Sequence, residues 1–120
     1  MSVGIVGGSV SPSTALTLNA QTGTTYTFVL TDANNTLVTA SNASAQTYTI
    51  PPNSSVAYPI GSQINLIQIG AGQVSFAQGS GVTIASNGAT STAPKCRVQY
   101  SAATCIKVGT DSWYVVGDIA

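Results

Sequence analysis

The chain has 120 residues, of which 43% are hydrophobic and only 5% are charged, and its formal net charge is zero. It contains no histidine and no glutamate, so the side chains that usually perform acid–base catalysis near neutral pH are scarce. Three basic residues cannot neutralise the several phosphates that a nucleic-acid-binding protein contacts, and no apolar run approaches the roughly 20 residues of a spanning helix. We therefore expect neither nucleic acid nor a membrane as partner.

A single domain is expected at this length, with an N-terminal arm over residues 1–13 and a β domain over residues 14–120. The start of the chain lacks the basic region and the continuous apolar stretch of a secretory signal, which predicts synthesis in a cytoplasm. The arm is either a mobile tail or a segment docked on a neighbouring protein. The aliphatic residues that a docked arm would present to its neighbour are Val3, Ile5, Val6 and Val10.

From residue 14 onward, apolar and polar residues alternate with a period of two, which predicts half-buried strands. The first predicted hairpin turns at residues 32–35 and places Leu30 opposite Leu37. Tyr48 and Ile50 belong to the next strand, which ends at consecutive prolines because proline cannot donate to a sheet ladder. Residues 64–69 form the most apolar strand.

Two further hairpins are predicted nearer the C-terminus. One pairs Phe76 with Val82 and places Val74 opposite Ile84. Residues 86–94 read as a loop.

The last hairpin pairs Val108 with Trp113 and Ile106 with Val115, which leaves Lys107 and Tyr114 on the exposed face. Since no window has helical periodicity, the predicted class is all-β. We expect a single compact β-sandwich or barrel-like domain of about eight to ten short antiparallel strands.

Few residues could perform chemistry. Asp32 and Asp111 fall in predicted turns and Asp118 at a strand end, where aspartate commonly bonds its own backbone. Cys96 and Cys105 are expected to be buried thiols in a reducing cytoplasm, with a disulfide or a metal site as the alternatives. We predict no enzyme activity, no cofactor and no metal site.

Sheet edges receive little protection from this sequence. Natural sheets blunt their edges with lysine, proline or inward charges, or cover them. Lysine and proline are rare in the predicted strands, so a neighbouring copy is the simplest cover and a stable oligomer is expected. A closed barrel has no edges and is the monomeric alternative.

Four aromatic residues could form a platform for stacking sugars, namely Tyr58, Tyr100, Trp113 and Tyr114. Strands are enriched in aromatic residues in any case. Packing in the core or in an interface is therefore favoured over ligand stacking.

Several stretches of the chain resemble a small β module of tailed-bacteriophage virion proteins, which include head fibres, capsid decoration (cement) proteins and tail fibres. The stretches that carry the resemblance are residues 18–27, 47–61, 70–74, 81–84, 99–104 and 113–118. The resemblance spans residues 16–119 and implies a homotrimer.

A short arm followed by one such module is typical of a capsid decoration protein. The resemblance thus implies a structural protein on the capsid surface of a virion, synthesised in the host cytoplasm, that binds the major capsid protein and stabilises the assembled head. The alternative is a receptor- or glycan-binding knob of a head fibre or tail fibre, for which a host surface glycan would be the partner.

Overall fold

The computed structural model describes residues 15–120, so the arm residues Val3, Ile5, Val6 and Val10 and the predicted domain boundary after residue 13 lie outside it. The described residues form a nearly all-strand domain whose helical content is one short 3-10 helix. The elements are β1 (Thr17–Gln21), β2 (Thr25–Thr27), the 3-10 helix (Leu30–Ala33), β3 (Thr36–Ala40), β4 (Gln46–Ile50), β5 (Gln63–Gln68), β6 (Val74–Gln78), β7 (Thr83–Ala85), β8 (Ala102–Gly109) and β9 (Ser112–Gly117).

The strands form two sheets, and the first six strands alternate between them. The larger sheet has the order β1-β3-β5-β8-β9-β7, and the smaller one has the order β2-β4-β6. Strands β1, β3 and β5 are parallel to one another, as are β2, β4 and β6. The N-terminal half of the domain is thus a coil whose successive turns stack on one another. Among the named strands of the described residues, antiparallel pairing is confined to β5 with β8 and β8 with β9, and two isolated antiparallel bridges join Ser75 to Lys95 and Cys96 to Ile119. The predicted antiparallel arrangement is therefore wrong for most of the strands.

One hydrophobic core joins the two sheets. The smaller sheet contributes Tyr48, Ile50 and Phe76, and the larger sheet contributes Leu66 and Trp113 among others, all essentially inaccessible to solvent. The sequence prediction that Tyr48 and Ile50 belong to one strand is confirmed, and that strand ends at Ile50 before the prolines.

The turns of the coil stack so closely that they need glycine. The side-chain amide of Asn42 donates to the carbonyl of Thr22 (2.8 Å), and the amide of Gly72 donates to the carbonyl of Asn42 (2.8 Å), which links three successive turns. A Cβ atom on Gly72 would overlap the backbone of Ser44. Glycine removes that overlap and allows the close approach of the two backbones.

The first predicted hairpin does not form. Leu30 begins the 3-10 helix and is 54% exposed, while β3 pairs with β1 and β5 instead of returning along β2. The cause is Asp32, whose buried carboxylate accepts hydrogen bonds from the Asn19 side chain (2.8 Å), the Tyr26 hydroxyl (2.7 Å) and the Val29 amide (2.9 Å). These bonds fold residues 29–32 into a tight turn before a hairpin could continue.

The second predicted hairpin has the right buried residues but the wrong pairing. Val74, Phe76, Val82 and Ile84 are all buried. However, β6 lies in the smaller sheet and β7 in the larger one, where β7 runs parallel to β9. Both arrangements bury the same alternating residues, so the pattern could not separate them.

The last predicted hairpin forms with its register displaced by one residue. Lys107 is paired with Trp113, Ile106 with Tyr114 and Cys105 with Val115, because a bulge lies between Lys107 and Gly109. A one-residue displacement exchanges the two faces of a strand. Lys107, predicted on the exposed face, is therefore buried.

We predict that replacing Gly72 with alanine lowers the free energy of unfolding by about 1–3 kcal/mol, the usual cost of forcing extra volume into a tightly packed site. Urea denaturation followed by Trp113 fluorescence measures the change. Gly23→Ala is the matched control, because a Cβ there meets only ordinary van der Waals contacts. Equal losses in the two variants would contradict the stacking explanation.

Candidate assembly surface

The larger sheet has one side that faces away from the core, here called the outer face. The pairing registers place every second side chain of all six strands on this outer face. Its residues are Leu18 and Ala20 of β1, Leu37 and Thr39 of β3, Gln63, Asn65 and Ile67 of β5, Thr83 and Ala85 of β7, Ala102, Thr104 and Ile106 of β8, and Tyr114 and Val116 of β9. None of them carries a charge.

The outer face is apolar to an unusual degree for a solvent-facing sheet. Leu18 is 66% exposed, Tyr114 52% and Val116 48%. Leu37, Ile67 and Ile106 are half-buried between their neighbours. Parallel strands normally carry apolar residues on both sides because both faces of their sheet are covered. Within residues 15–120, however, no second layer covers this face, so it has the character of a surface that another protein covers.

Two grooves border the outer face. One of about 400 Å³ lies beside β7 and β9 and is lined by Ser86, Asn87, Tyr114 and Val116 among others. The other, of about 330 Å³, lies where β1, β3 and β5 begin and includes Leu16, with Asn35, Gln63 and Asn65 as polar lining residues. The apolar face is thus flanked by neutral hydrogen-bonding groups, an arrangement typical of an interface with an apolar centre and a polar rim.

The charged residues lie away from this face, and one pair neutralises itself. The Arg97 guanidinium donates two hydrogen bonds to the Asp118 carboxylate, at 2.7 and 3.0 Å. The Ser101 hydroxyl donates a third, at 2.6 Å. The hydrogen bonds from Arg97 and then Ser101 lower the pKa of Asp118 below its ordinary value. The pair lies just beyond the end of β9 and projects little net field across the outer face.

The structure does not assemble the four aromatic residues into a surface platform. Tyr58 and Trp113 are buried and pack edge-to-face, with ring centroids 5.3 Å apart. The Tyr58 hydroxyl donates to the carbonyl of Val29 (2.6 Å), and burial raises the pKa of that hydroxyl. Tyr58 and Trp113 are therefore core residues, which agrees with the favoured prediction of packing over ligand stacking, and as buried side chains they are not available for surface recognition. Tyr100 and Tyr114 are exposed but belong to different parts of the surface: Tyr100 lies in the turn before β8, and Tyr114 lies on the outer face.

Both cysteines are free and buried. Burial, with a smaller effect from Asp118, raises the pKa of Cys96 to about 12, and burial together with Cys96 raises the pKa of Cys105. The described part of the chain contains no group of three or more His, Cys, Asp or Glu residues that could hold a metal ion. Among the same residues no helix is long and apolar enough to cross a membrane.

A scan against protein-family models found no match, and a search of the curated proteins found none either. The interpretation of this surface therefore depends on its own geometry.

Sequence reasoning missed two polar sites. Asp32 is buried with three hydrogen bonds, and Lys107 is buried against Asn53 and Tyr58. Period-two alternation could have indicated Lys107 only if the bulge in β8 had been known. The outer face was missed for a related reason, since β8 and β9, which form part of it, are largely apolar on both sides.

We predict that the protein loses stability as the pH rises from about 9 towards about 12. The pKa of Cys96 is raised from 9.0 to about 12 in the folded state, so the thiol stabilises the fold while it stays protonated and the unfolded chain binds fewer protons above pH 9. Burial raises the pKa of Tyr48 from 10.0 to about 12 and acts in the same direction. Urea titrations at pH 7 and pH 11 should differ by at least about 1 kcal/mol.

The control is Cys96→Ala, in which part of this pH dependence should disappear. A free energy of unfolding that stays constant up to pH 11 would contradict the role assigned to these buried groups.

Proposed function

We propose that the chain is a structural protein of a tailed-bacteriophage virion, a capsid decoration (cement) protein that forms a homotrimer and binds the assembled head. The observation that carries the proposal is the outer face, a six-stranded apolar surface without a charged residue. The resemblance of residues 16–119 to virion β modules supports the same function. The overall scarcity of charge fits a protein whose work is to adhere to other proteins.

Copies of the chain are the occupants proposed for the outer face. Because the face is uncharged, two or more copies meet there without like-charge repulsion, and near-zero net charge also favours association. Covering Leu18, Tyr114 and Val116 removes apolar surface from water, which is the main favourable term in protein association. The edge strands β1 and β7 bound the same sheet, so a neighbouring copy that also pairs along an edge would cover backbone groups there.

Stabilisation of the capsid follows because binding of this protein is coupled to assembly of the head. A protein that binds only the assembled head stabilises that state by mass action, and three linked copies bind more strongly than one. An uncharged contact keeps its strength as the ionic strength changes. The major capsid protein is the proposed partner, and the capsid surface of the virion is the proposed location.

The alternative is a glycan-binding knob, and one observation favours it. The exposed ring of Tyr114 lines the groove beside β9 together with Ser86 and Asn87, which supplies one stacking surface and polar neighbours. Burial of Tyr58 and Trp113 removes the other half of the expected platform. We therefore rank this function second.

We predict that light scattering on the purified protein gives three times the mass of one chain. Val116→Lys should shift the protein towards monomer, because an isolated ammonium placed in a buried apolar contact loses its hydration. The matched control is Thr47→Lys, an exposed position on β4 of the smaller sheet, which should remain trimeric. A wild-type protein that is monomeric at micromolar concentration would overturn the proposed trimer.

We predict further that the protein cosediments with assembled phage heads stripped of it and not with unassembled capsid subunits, with equal recovery at low and high salt. Heads without it should release DNA at a lower temperature. The decisive control is a glycan array probed with the wild type and Tyr114→Ala. Glycan binding that Tyr114→Ala abolishes, with no sedimentation on heads, would establish the alternative.

A further inference from the structure

Lys107 is the one buried residue among the three basic residues of the chain, with 2% of its surface exposed. Its side chain leaves β8 on the core side of the larger sheet. The Nζ atom donates to the Oδ1 atom of Asn53 (2.6 Å) and to the carbonyl oxygen of Tyr58 (2.7 Å). The bulge in β8 is what places this side chain inside the fold.

Both acceptors of Lys107 are neutral. Within residues 15–120 the one ion pair is that of Arg97 with Asp118, so no carboxylate compensates Lys107. A buried ammonium without a counter-ion is costly, whereas an uncharged amide nitrogen at the same place is not. The Lys107 nitrogen is thus held against two neutral oxygen acceptors inside the fold.

The neighbour of Lys107 contains an electrophilic carbon. The carboxamide carbon of Asn53 is bonded to the oxygen that Nζ touches. The carboxylate of Asp111 accepts the backbone amide of the same Asn53 (2.8 Å), which fixes the position of Asn53. Trp113 is the cross-strand partner of Lys107, and its ring packs on Tyr58, so aromatic groups line the site.

We propose that Lys107 and Asn53 form an intramolecular amide cross-link. The Nζ atom attacks the Cγ atom of Asn53, the Nζ–Cγ bond forms and the Cγ–Nδ2 bond breaks. The proton that Nζ gives up passes to Nδ2, which departs as ammonia. The reaction consumes no oxidant and no cofactor, and the product nitrogen is neutral.

The cross-link would join the two sheets. Asn53 lies in the turn that follows β4 of the smaller sheet, and Lys107 lies on β8 of the larger one. The bond closes the chain between residues 53 and 107 and restricts the unfolded state, as a disulfide does. It is independent of the two cysteines and so operates in a reducing environment.

The test is the intact mass of the denatured, reduced wild-type protein. The expected mass is lower than that of the sequence by one molecule of ammonia. Trypsin should fail to cut after Lys107 and should leave residues 98–120 attached to the peptide that contains Asn53. An intact mass equal to that of the full sequence, with normal cleavage after Lys107, would overturn the proposal. This measurement uses the wild-type protein and does not depend on whether any variant folds.

Variants separate the cross-link from other losses of ammonia. Lys107→Arg and Asn53→Ala should each restore the full mass, while the control Lys95→Arg, at an exposed lysine, should keep the deficit. Ring closure within Asn53 also loses ammonia but leaves cleavage after Lys107 intact, and that result would count against the proposal.

Discussion

The close stacking of successive coil turns is the constraint on which the rest of the structure depends. Where Gly72 lies against Asn42 and Ser44, the backbones of neighbouring turns approach too closely for a side chain to fit between them. This spacing aligns β1, β3 and β5 in one parallel array and β2, β4 and β6 in another. Parallel arrays favour apolar residues on both sides. The outer face therefore follows from the way the chain winds, together with the near absence of charged residues.

The sequence pattern predicted where strands lie better than it predicted which strands pair. Period-two alternation depends on burial of one side and is the same for parallel and antiparallel neighbours. The strands around Tyr48, Ile64 and Trp113 are found where they were expected, whereas the hairpin from Leu30 to Leu37 is replaced by a 3-10 turn. Its cause, the set of hydrogen bonds on the Asp32 carboxylate, involves Asn19 and Tyr26, which are brought to Asp32 only by the folded chain.

The candidate surface was predictable in its chemistry but not in its position. Composition alone indicated a neutral surface suited to association. It could not separate the inner from the outer residues of β8, because both sets are largely apolar and a single bulge decides which set is buried. The same displacement moved Lys107 from the exposed side into the core. One backbone irregularity thus accounts for the exchanged sides of β8 and for the most unusual side chain of the fold.

Strand β8 connects the outer face with the core, since its two sides contribute to these two regions. On one side Thr104 and Ile106 belong to the outer face, and on the other Lys107 reaches across the core to Asn53 beyond the smaller sheet. A load applied at the outer face is carried by β8 and would pass to the second sheet through Lys107. Hydrogen bonds alone yield under sustained force because each contributes only about 1 kcal/mol net. A covalent bond at that position would hold the sheets together under load, which is the mechanical property that the proposed function would require.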